Sequence, residues 1–389
     1  MPVRPIYLDH SATTPLDGVV LEAMMPYLRE NFGNPNSIHA WGRRARQAVE
    51  EARGAVASLV GAKDREVFFT GGGSEADNLA IKGTALARQQ KGRHLITSAI
   101  EHHAVLDVFS WLGKQGFDVT VLSVDETGRV SPKDLERALR PDTTLVSIMF
   151  ANNEIGTLQP VAELGELCRQ RDVLFHTDAV QVVGHLPLDL STLPVDLLTI
   201  SAHKMYGPKG VGALFVRRGV RIDPLVHGGG QERGLRSGTE NVAGIVGFGA
   251  AARLARERLA AGEHLKETEL RGHLLEGLLE VDDVLLTGHR TDRLPFHASV
   301  CVRFIEGEAL LLRLDAAGIG ASSGSACTSG SLDPSHVLLA LGLDHATAHG
   351  SLRLSLGKDT SREDVDRTRA AFREIVEVLR AMSPFGRDK

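Results

Sequence analysis

Between residues 67 and 216, short apolar runs alternate with segments whose apolar residues recur at helical spacing. The apolar runs cover residues 67–70, 94–97, 119–122, 144–149, 173–175, 197–200 and 213–216. The helical patterns between them include 75–89, 104–115 and 161–171. Strands that alternate with helices pair mostly in parallel and are covered on both faces. The sequence therefore predicts an α/β fold with a mainly parallel seven-stranded sheet flanked by helices.

The pattern changes after about residue 244. An Ala-, Leu-, Arg- and Glu-rich helical region runs to about residue 280. Two strand-like runs follow at 298–304 and 351–356, and a C-terminal helix begins at about residue 361. We interpret this part as a smaller α/β domain against which the N-terminal segment packs. The predicted division is a large domain over 16–258 and a small domain formed by 1–15 and 259–389.

Composition excludes several classes of function. The 389 residues are 42% hydrophobic and 24% charged with a net charge of −5, which is ordinary for a soluble globular protein and does not indicate a nucleic-acid partner. No apolar run is long enough to span a bilayer, and the N-terminus lacks the apolar core of a signal peptide. The three cysteines, Cys168, Cys301 and Cys327, are far apart and fit a reducing cytoplasm. With no CxxC or HExxH motif, we expect no metal site.

Polar residues follow five of the predicted strands at the point where each strand ends. They are Ser74, His102, Asn153, Asp178 and Lys204. Because ligands of open parallel sheets bind beyond the carboxyl ends of the strands, we expect these side chains to form one site. Each can take a role around one flat ring and one phosphate.

The strongest of these signals is the lysine. Lys204 follows a buried strand, where an ammonium group is costly unless it has a task. One such task is a Schiff base with a carbonyl cofactor. Asp178, after the preceding strand, supplies the acid that a pyridoxal phosphate ring nitrogen requires, although an aspartate in that position also suits a helix N-cap.

The phosphate and ring contacts have weaker signals. The glycine turn at 71–73 opens a helix and suits a phosphate, to which Ser74, Ser201 and His203 could donate, but most glycine turns of this kind bind nothing. His102 fits either a stacking acid/base group or a strand-end histidine bonded to the backbone. Asn153 fits either a donor to a ring hydroxyl or a turn asparagine.

A thiol and a guanidinium complete the candidate site. Cys327 lies among small polar residues at 321–331, which suits an exposed loop able to reach a bound intermediate. The other two cysteines, Cys168 and Cys301, lie in helical and strand patterns and are predicted to be packing residues. Strand alternation places Arg353 and Ser355 on one face, where the arginine can bind a carboxylate; a half-exposed strand arginine is the competing interpretation.

Jointly, these motifs resemble the cysteine desulfurases of the class V aminotransferase group, which are pyridoxal phosphate enzymes of fold type I. The resemblance extends over nearly the whole chain. It is carried by residues 7–14, 33–39, 73–78, 101–105, 152–156, 176–181, 201–204, 236–239 and 353–357. The segment 322–330 is similar to that of the group with a long mobile cysteine loop.

The resemblance implies a role for each residue around the cofactor. Lys204 forms the Schiff base, His102 stacks on the ring as a catalytic group, and Asp178 pairs with the ring nitrogen. The hydroxyl side of the ring is contacted by Asn153 and Gln181. The phosphate is held by Gly73, Ser74, Ser201 and His203.

The resemblance also implies the substrate site and a homodimer. Arg353 binds the substrate carboxylate, assisted by Asn34 and Asn153, and Thr239 reaches the phosphate of the other subunit. Two positions depart from the commoner pattern: Ser74 replaces a threonine and keeps its hydroxyl, and Val180 replaces an alanine.

The predicted reaction is the conversion of L-cysteine to L-alanine with a persulfide on Cys327. The sulfur passes to a protein acceptor, such as an iron–sulfur scaffold or a tRNA-thiolating enzyme, with iron–sulfur cluster assembly as the favoured destination. Three alternatives stay open at this point: a lyase acting on selenocysteine, a transaminase of the same class, and a scaffold without turnover. The loop cysteine argues against the transaminase, which needs no protein thiol, and intact Lys204 and Asp178 argue against the scaffold.

Overall fold

The computed structural model of the protein describes residues 4–324 and 334–383. Its strands are β1 (Ile6–Tyr7), β2 (Val67–Thr70), β3 (His94–Ser98), β4 (Asp118–Leu122), β5 (Thr143–Ser147), β6 (Leu174–Asp178), β7 (Leu197–Ser201), β8 (Gly212–Val216), β9 (Val284–Leu286), β10 (His297–Val302), β11 (Ile319–Gly320) and β12 (Ser351–Ser355). Its α-helices are α1 (Gly18–Arg29), α2 (Ala40–Leu59), α3 (Gly73–Arg88), α4 (His103–Lys114), α5 (Pro132–Ala138), α6 (Val161–Gln170), α7 (Val242–Ala260), α8 (Glu263–Leu279), α9 (Gly307–Ala316), α10 (His336–Ala340), α11 (His345–His349) and α12 (Arg362–Met382).

The large sheet has seven strands in the order β2-β8-β7-β6-β5-β3-β4. Strand β8 runs antiparallel to both of its neighbours, and the other pairs are parallel. The predicted fold class is therefore confirmed. Every residue of β3, β5, β6, β7 and β8 is buried, as expected for strands covered on both faces.

Adjacent residues of the central strands pack into two different apolar clusters, because side chains alternate along a strand. The cluster that includes residues of α3 and α4 receives Leu95, Leu145, Leu174, Leu197 and Leu214. The cluster that includes residues of α2, α6 and α7 receives Ile96, Val146, Phe175, Leu198 and Phe215. The period of two thus puts His176 and Asp178 on the same side of β6 as Leu174, toward α3.

The predicted boundaries differ from the observed ones at a few points. The strand predicted at 298–304 ends at Val302, and Phe304 has a φ of +68° that a strand does not permit. The helical region before residue 280 is two helices, α7 and α8, because Gly262 between them takes a left-handed φ of +74°. In the described part of the chain, no helix has the length and apolar character needed to cross a membrane.

The N-terminal segment joins the C-terminal part of the chain. Strand β1 pairs in parallel with β11, and Asp9 forms a bridge with Ser355 of β12. Strands β12, β10 and β9 form an antiparallel sheet, against which α8 and α9 pack. The division into domains at 16–258 and at 1–15 with 259–389 stays a prediction.

Candidate active site

The glycine turn after β2 leads directly into the N-terminus of α3. A Cβ on Gly73 would lie 3.0 Å from Val180 Cγ2 and 3.5 Å from Ser201 Cβ, so the glycine keeps a cradle open there. The N-cap residue Gly72 provides no side chain to the free N–H groups of the first turn. Ser74 is exposed in this turn. Uncapped N–H groups beside Ser74 and Ser201 are an arrangement that suits a phosphate.

Lys204 lies just beyond β7, at the end of a short 3₁₀ turn that runs from Ala202 to Lys204. Its Nζ donates to the carbonyl oxygens of Ser11 at 2.5 Å and Ala12 at 2.7 Å. The N-terminal segment therefore holds the amine at the end of the sheet.

The same segment also fixes the backbone around the lysine. The Thr14 hydroxyl donates to the His203 carbonyl at 2.9 Å and accepts from the Tyr206 N–H at 2.8 Å. The His203 ring lies with Nδ1 3.1 Å from the Thr13 hydroxyl, and burial, followed by the nearby Lys204 charge, lowers the pKa of His203 to about 4. His203 is therefore neutral at pH 7 and has its other ring nitrogen available to a phosphate.

Asp178 ends β6 in a buried acidic cluster with Asp77 and Glu101. Burial raises the pKa of the Asp178 carboxyl against the opposing effect of His102 and Lys204. Burial and the Asp178 charge raise the pKa of Asp77, and burial raises that of Glu101 to about 8. A protonated ring nitrogen would add positive charge beside this cluster and favour the ionised form of Asp178. The N-cap alternative is wrong, because Asp178 Oδ1 accepts from Val180 N in a turn that no helix follows.

His102 makes the backbone contact that one of the two sequence interpretations predicted, and its stacking role stays a prediction. It is the N-cap of α4, and its Nδ1 accepts the backbone N–H of Ala104 at 3.1 Å. Because this nitrogen accepts, the neutral ring carries its proton on Nε2. Burial lowers the pKa of His102, and the Asp178 charge opposes that shift.

Two amides occupy the neighbouring strand ends. The Asn152 side chain, not that of Asn153, makes the turn contacts, accepting the N–H groups of Glu154 and Ile155. The Asn153 carbonyl accepts from Arg353, and the side-chain amide of Gln181 donates to Ser11 at 3.0 Å. The backbone of Asn153 thus contacts Arg353, and the side-chain amide of Gln181 contacts the same Ser11 carbonyl that holds Lys204.

Arg353 is buried at the centre of β12, with 3% of its side chain exposed, which excludes the half-exposed interpretation. Its Nη2 donates to Asp9 at 2.8 Å and its Nη1 to the Asn153 carbonyl at 2.9 Å. Its Nε is buried without a hydrogen-bond partner in the described part of the chain.

Two predicted site residues lie apart from this network. Asn34 is exposed and its Oδ1 accepts the N–H of Asn36, and Thr239 is exposed in the loop before α7. Among the described residues, no hydrogen bond joins either side chain to the strand-end groups. That loop is attached to the glycine turn, since Arg236 donates to Glu75, which also accepts the Gly71 N–H.

Cys327 lies outside the described residues, but both ends of its segment are described. Ser322 pairs with Arg353 through two backbone hydrogen bonds, and the Ser335 hydroxyl donates to the Glu154 carboxylate. The other two cysteines are buried, as predicted. Burial raises the pKa of Cys301 to about 12 and that of Cys168 still further, so neither forms a thiolate at neutral pH.

Sequence reasoning from the residues missed three contributors: Asp9, Thr14 and Asp77. The first two belong to a polar run after a two-residue strand, which resembles an ordinary terminal loop. Asp77 carried a usable signal, because it is an acid among the apolar residues of α3 that face the sheet. Within the described ranges, no group of three or more histidine, cysteine or acidic side chains could hold a metal ion.

Comparison with known proteins agrees with this geometry. The profile of the family described as aminotransferase class-V matches residues 6–368. The chain belongs to the class V aminotransferase family. The resemblance inferred from the motifs is confirmed, and as a member of this family the chain is a pyridoxal phosphate-dependent enzyme. The buried acids, the lysine and the open cradle at Gly73 fit that cofactor.

Several class V relatives are similar along almost their whole length. A protein of Methanosarcina thermophila named cysteine desulfurase IscS is 54% identical over 381 residues, covering 98% of this chain and 94% of that protein. A protein of the same name from Dictyoglomus turgidum is 52% identical and covers 98% of this chain and 97% of that protein. The solved structure of a NifS-like protein has a TM-score of 0.89 at 41% identity, covering 96% of this chain and 99% of that one. A structure described as SspA in complex with cysteine has a TM-score of 0.79 at 39% identity, covering 90% and 98%.

Proposed function

We propose that this protein is a cysteine desulfurase that converts L-cysteine to L-alanine and retains the sulfur as a persulfide on Cys327. The observation that carries the proposal is the attachment of the Cys327 segment to the site. On one side of the segment Ser322 pairs with Arg353 of β12, and on the other the Ser335 hydroxyl donates to Glu154, which follows β5. These contacts support a thiol that serves a substrate bound at Arg353.

The cofactor contacts follow from the chain's own donors and acceptors. Lys204 would supply the amine, Asp178 would pair with the ring nitrogen, and His102 would stack on the ring. Asn153 and Gln181 would contact the ring hydroxyl. The phosphate would be held by Gly73, Ser74, Ser201 and His203.

The substrate is oriented by its two charged groups. Arg353 would bind the carboxylate, and Asn153 and Asn34 would assist it. Bound pyridoxal phosphate supplies an aldehyde for the substrate amine and a ring that stabilises negative charge at the α-carbon. The amine of Lys204, when it is not bonded to the cofactor, would take the proton from the substrate α-carbon.

The sulfur step needs a nucleophile that the buried thiols cannot provide. Cys327 as thiolate attacks the substrate sulfur, a sulfur–sulfur bond forms and the carbon–sulfur bond breaks. The electron pair of the broken bond stays with the carbon, which is protonated to give alanine. In balance, L-cysteine and one protein thiol become L-alanine and one protein persulfide, without an external oxidant.

Mass spectrometry of the enzyme after one turnover tests this assignment. Alkylated and digested protein should carry the additional sulfur on the peptide that contains Cys327. Cys301→Ser, which removes a buried thiol, is the matched control and should leave that label unchanged. A persulfide found on Cys168 or Cys301 would overturn the assignment of the nucleophile.

The persulfide has to pass to an acceptor by direct contact. We propose a cytoplasmic protein acceptor of the iron–sulfur scaffold type, with a tRNA-thiolating enzyme as the second candidate. The sparse cysteines that fit a reducing compartment support the location.

We also propose a homodimer in which Thr239 reaches the phosphate of the second subunit. Its loop is held by Arg236 while Thr239 itself is exposed, so its hydroxyl is available to another chain. Exposed apolar side chains concentrate in residues 16–41, with Phe32 at 77% and Ile38 at 91% exposure.

Sedimentation velocity should show a dimer that Ile38→Asp weakens, whereas Val121→Asp, at an exposed position of β4, should leave the dimer intact. A wild-type monomer would contradict the proposal.

A further inference from the structure

The Arg353 guanidinium already has a counterion inside the protein. Asp9 Oδ1 lies 2.8 Å from Arg353 Nη2, and the two side chains are 20% and 3% exposed. A buried guanidinium without an anion would be strongly unfavourable, so this pair stabilises the site before any substrate arrives.

The backbone holds Asp9 firmly in this place. Ser355 donates its N–H to the Leu8 carbonyl at 2.7 Å, and His10 donates to the Ser355 carbonyl at 3.4 Å, so hydrogen bonds to β12 flank Asp9 on both sides. The Tyr7 hydroxyl donates to the Asp9 carbonyl at 3.1 Å. Asp9 therefore stays beside Arg353 when a ligand binds.

One N–H of the Arg353 guanidinium has no hydrogen-bond partner in the described part of the chain. Nη2 serves Asp9 and Nη1 serves the Asn153 carbonyl, while Nε is buried and unpartnered among the described residues. An unsatisfied buried donor of this kind is a ready partner for a second carboxylate. Two carboxylates on one guanidinium repel each other, and burial makes that repulsion larger than in water.

We propose that Asp9, as the internal counterion of Arg353, weakens the binding of carboxylate ligands to this guanidinium. The inference rests on the proposed role of Arg353 in holding the substrate carboxylate. Since L-cysteine and L-alanine carry the same carboxylate, Asp9 lowers the affinity for both and so speeds the release of the product. It also keeps Arg353 satisfied between turnovers, so that stray carboxylates bind poorly.

Asp9→Asn in the holoenzyme tests the effect of the Asp9 charge on carboxylate binding, because asparagine is neutral but can still accept the hydrogen bond from Arg353 Nη2. The expected result is a fall of about tenfold in the KM for L-cysteine and in the inhibition constant of L-alanine. The inhibition constant of cysteamine, which has the amine and thiol but no carboxylate, should not change. Asp292→Asn, at an Asp–Arg pair that is also 2.8 Å long but lies on the surface, should leave all three constants unchanged.

The outcomes separate this inference from the function on which it rests. If Arg353→Lys leaves the KM for L-cysteine unchanged, the carboxylate site itself is wrong. If Arg353→Lys raises the KM while Asp9→Asn raises it as well or leaves it unchanged, then Asp9 only positions the guanidinium and the inference is overturned. If Asp9→Asn does not fold, Asp9→Ser also removes the charge and should lower the KM for L-cysteine in the same way. If neither variant folds, Asp9 has a purely structural role and the inference is overturned.

Discussion

The Nζ of Lys204 lies 2.5 Å from the carbonyl oxygen of Ser11. This contact joins a residue at the end of the central sheet to a segment 193 positions earlier in the chain. The same serine carbonyl accepts the Gln181 amide, and the serine N–H donates to Ser355 at 2.8 Å. The N-terminal segment is therefore part of the active site and connects the lysine to the strand that carries Arg353.

Replacing the lysine should abolish chemistry without unfolding the protein. Lys204→Ala removes the amine that holds the cofactor and takes the proton, so alanine formation should fall below detection. Borohydride reduction should attach the cofactor covalently to the wild-type chain, which mass spectrometry detects as an increase in mass, and should not attach it to this variant. Lys209→Ala, at an exposed turn lysine five residues away, is the control and should behave as wild type. Retained turnover in Lys204→Ala would refute the assignment.

A methyl group at the glycine turn should weaken cofactor binding. The new Cβ of Gly73→Ala would lie 3.0 Å from Val180 Cγ2, which fills the cradle and moves the first turn of α3. We expect the dissociation constant of pyridoxal phosphate to rise about tenfold, which corresponds to about 1.4 kcal/mol.

Gly113→Ala on α4 provides the comparison for this substitution. A Cβ at Gly113 would meet no neighbouring group within 4 Å, so the change should be neutral or should stabilise the protein by up to about 1 kcal/mol. Its affinity for pyridoxal phosphate should equal that of wild type. Equal affinities in the two alanine variants would contradict a phosphate site at Gly73.

The buried acid Glu101 should make stability depend on pH. Its pKa is about 8 in the folded protein because burial disfavours the charged form, whereas an unfolded glutamate titrates near its ordinary value of 4.5. Between these two pH values the Glu101 carboxyl is protonated in the folded protein and ionised in the unfolded protein. The stabilisation that this proton provides is therefore complete at low pH. It is lost as pH rises toward 8, by at most about 1.4 kcal/mol per pH unit. Glu101→Gln removes the carboxyl that titrates and with it this contribution to the pH dependence.

Thermal unfolding measured from pH 5 to pH 8 checks this expectation. The melting temperature of Glu101→Gln should fall less steeply with pH than that of wild type. Glu126→Gln, at an exposed glutamate, should reproduce the wild-type slope. If wild type and Glu101→Gln have parallel profiles, the carboxyl is not held protonated.

The large sheet could be predicted from the sequence because its strands are buried on both faces. Continuous apolar runs such as β5 and β7 have few alternative structures, and polar residues at their carboxyl ends are conspicuous. Lys204, Asp178 and His102 were predicted as site residues in this way. The sequence could not decide between the two interpretations of His102, because this residue caps a helix and also lies close enough to Asp178 for their charges to interact.

The N-terminal contribution could not be predicted from local pattern. Asp9 and Ser11 act through contacts with residues at least 170 positions away, and such contacts leave no periodicity in the sequence. The strand β1 that precedes them has two residues. The pairing of that strand with β11 and of Asp9 with Ser355 helps to bring these groups to the site.

The central claim is that the thiol of Cys327 takes the sulfur from L-cysteine. Alanine formed from L-cysteine, measured in the presence of a thiol reductant, tests it directly in wild type, Cys327→Ser and Cys301→Ser. The account predicts alanine from wild type and from Cys301→Ser, and none above background from Cys327→Ser with its cofactor still bound. Equal alanine from all three proteins would contradict it.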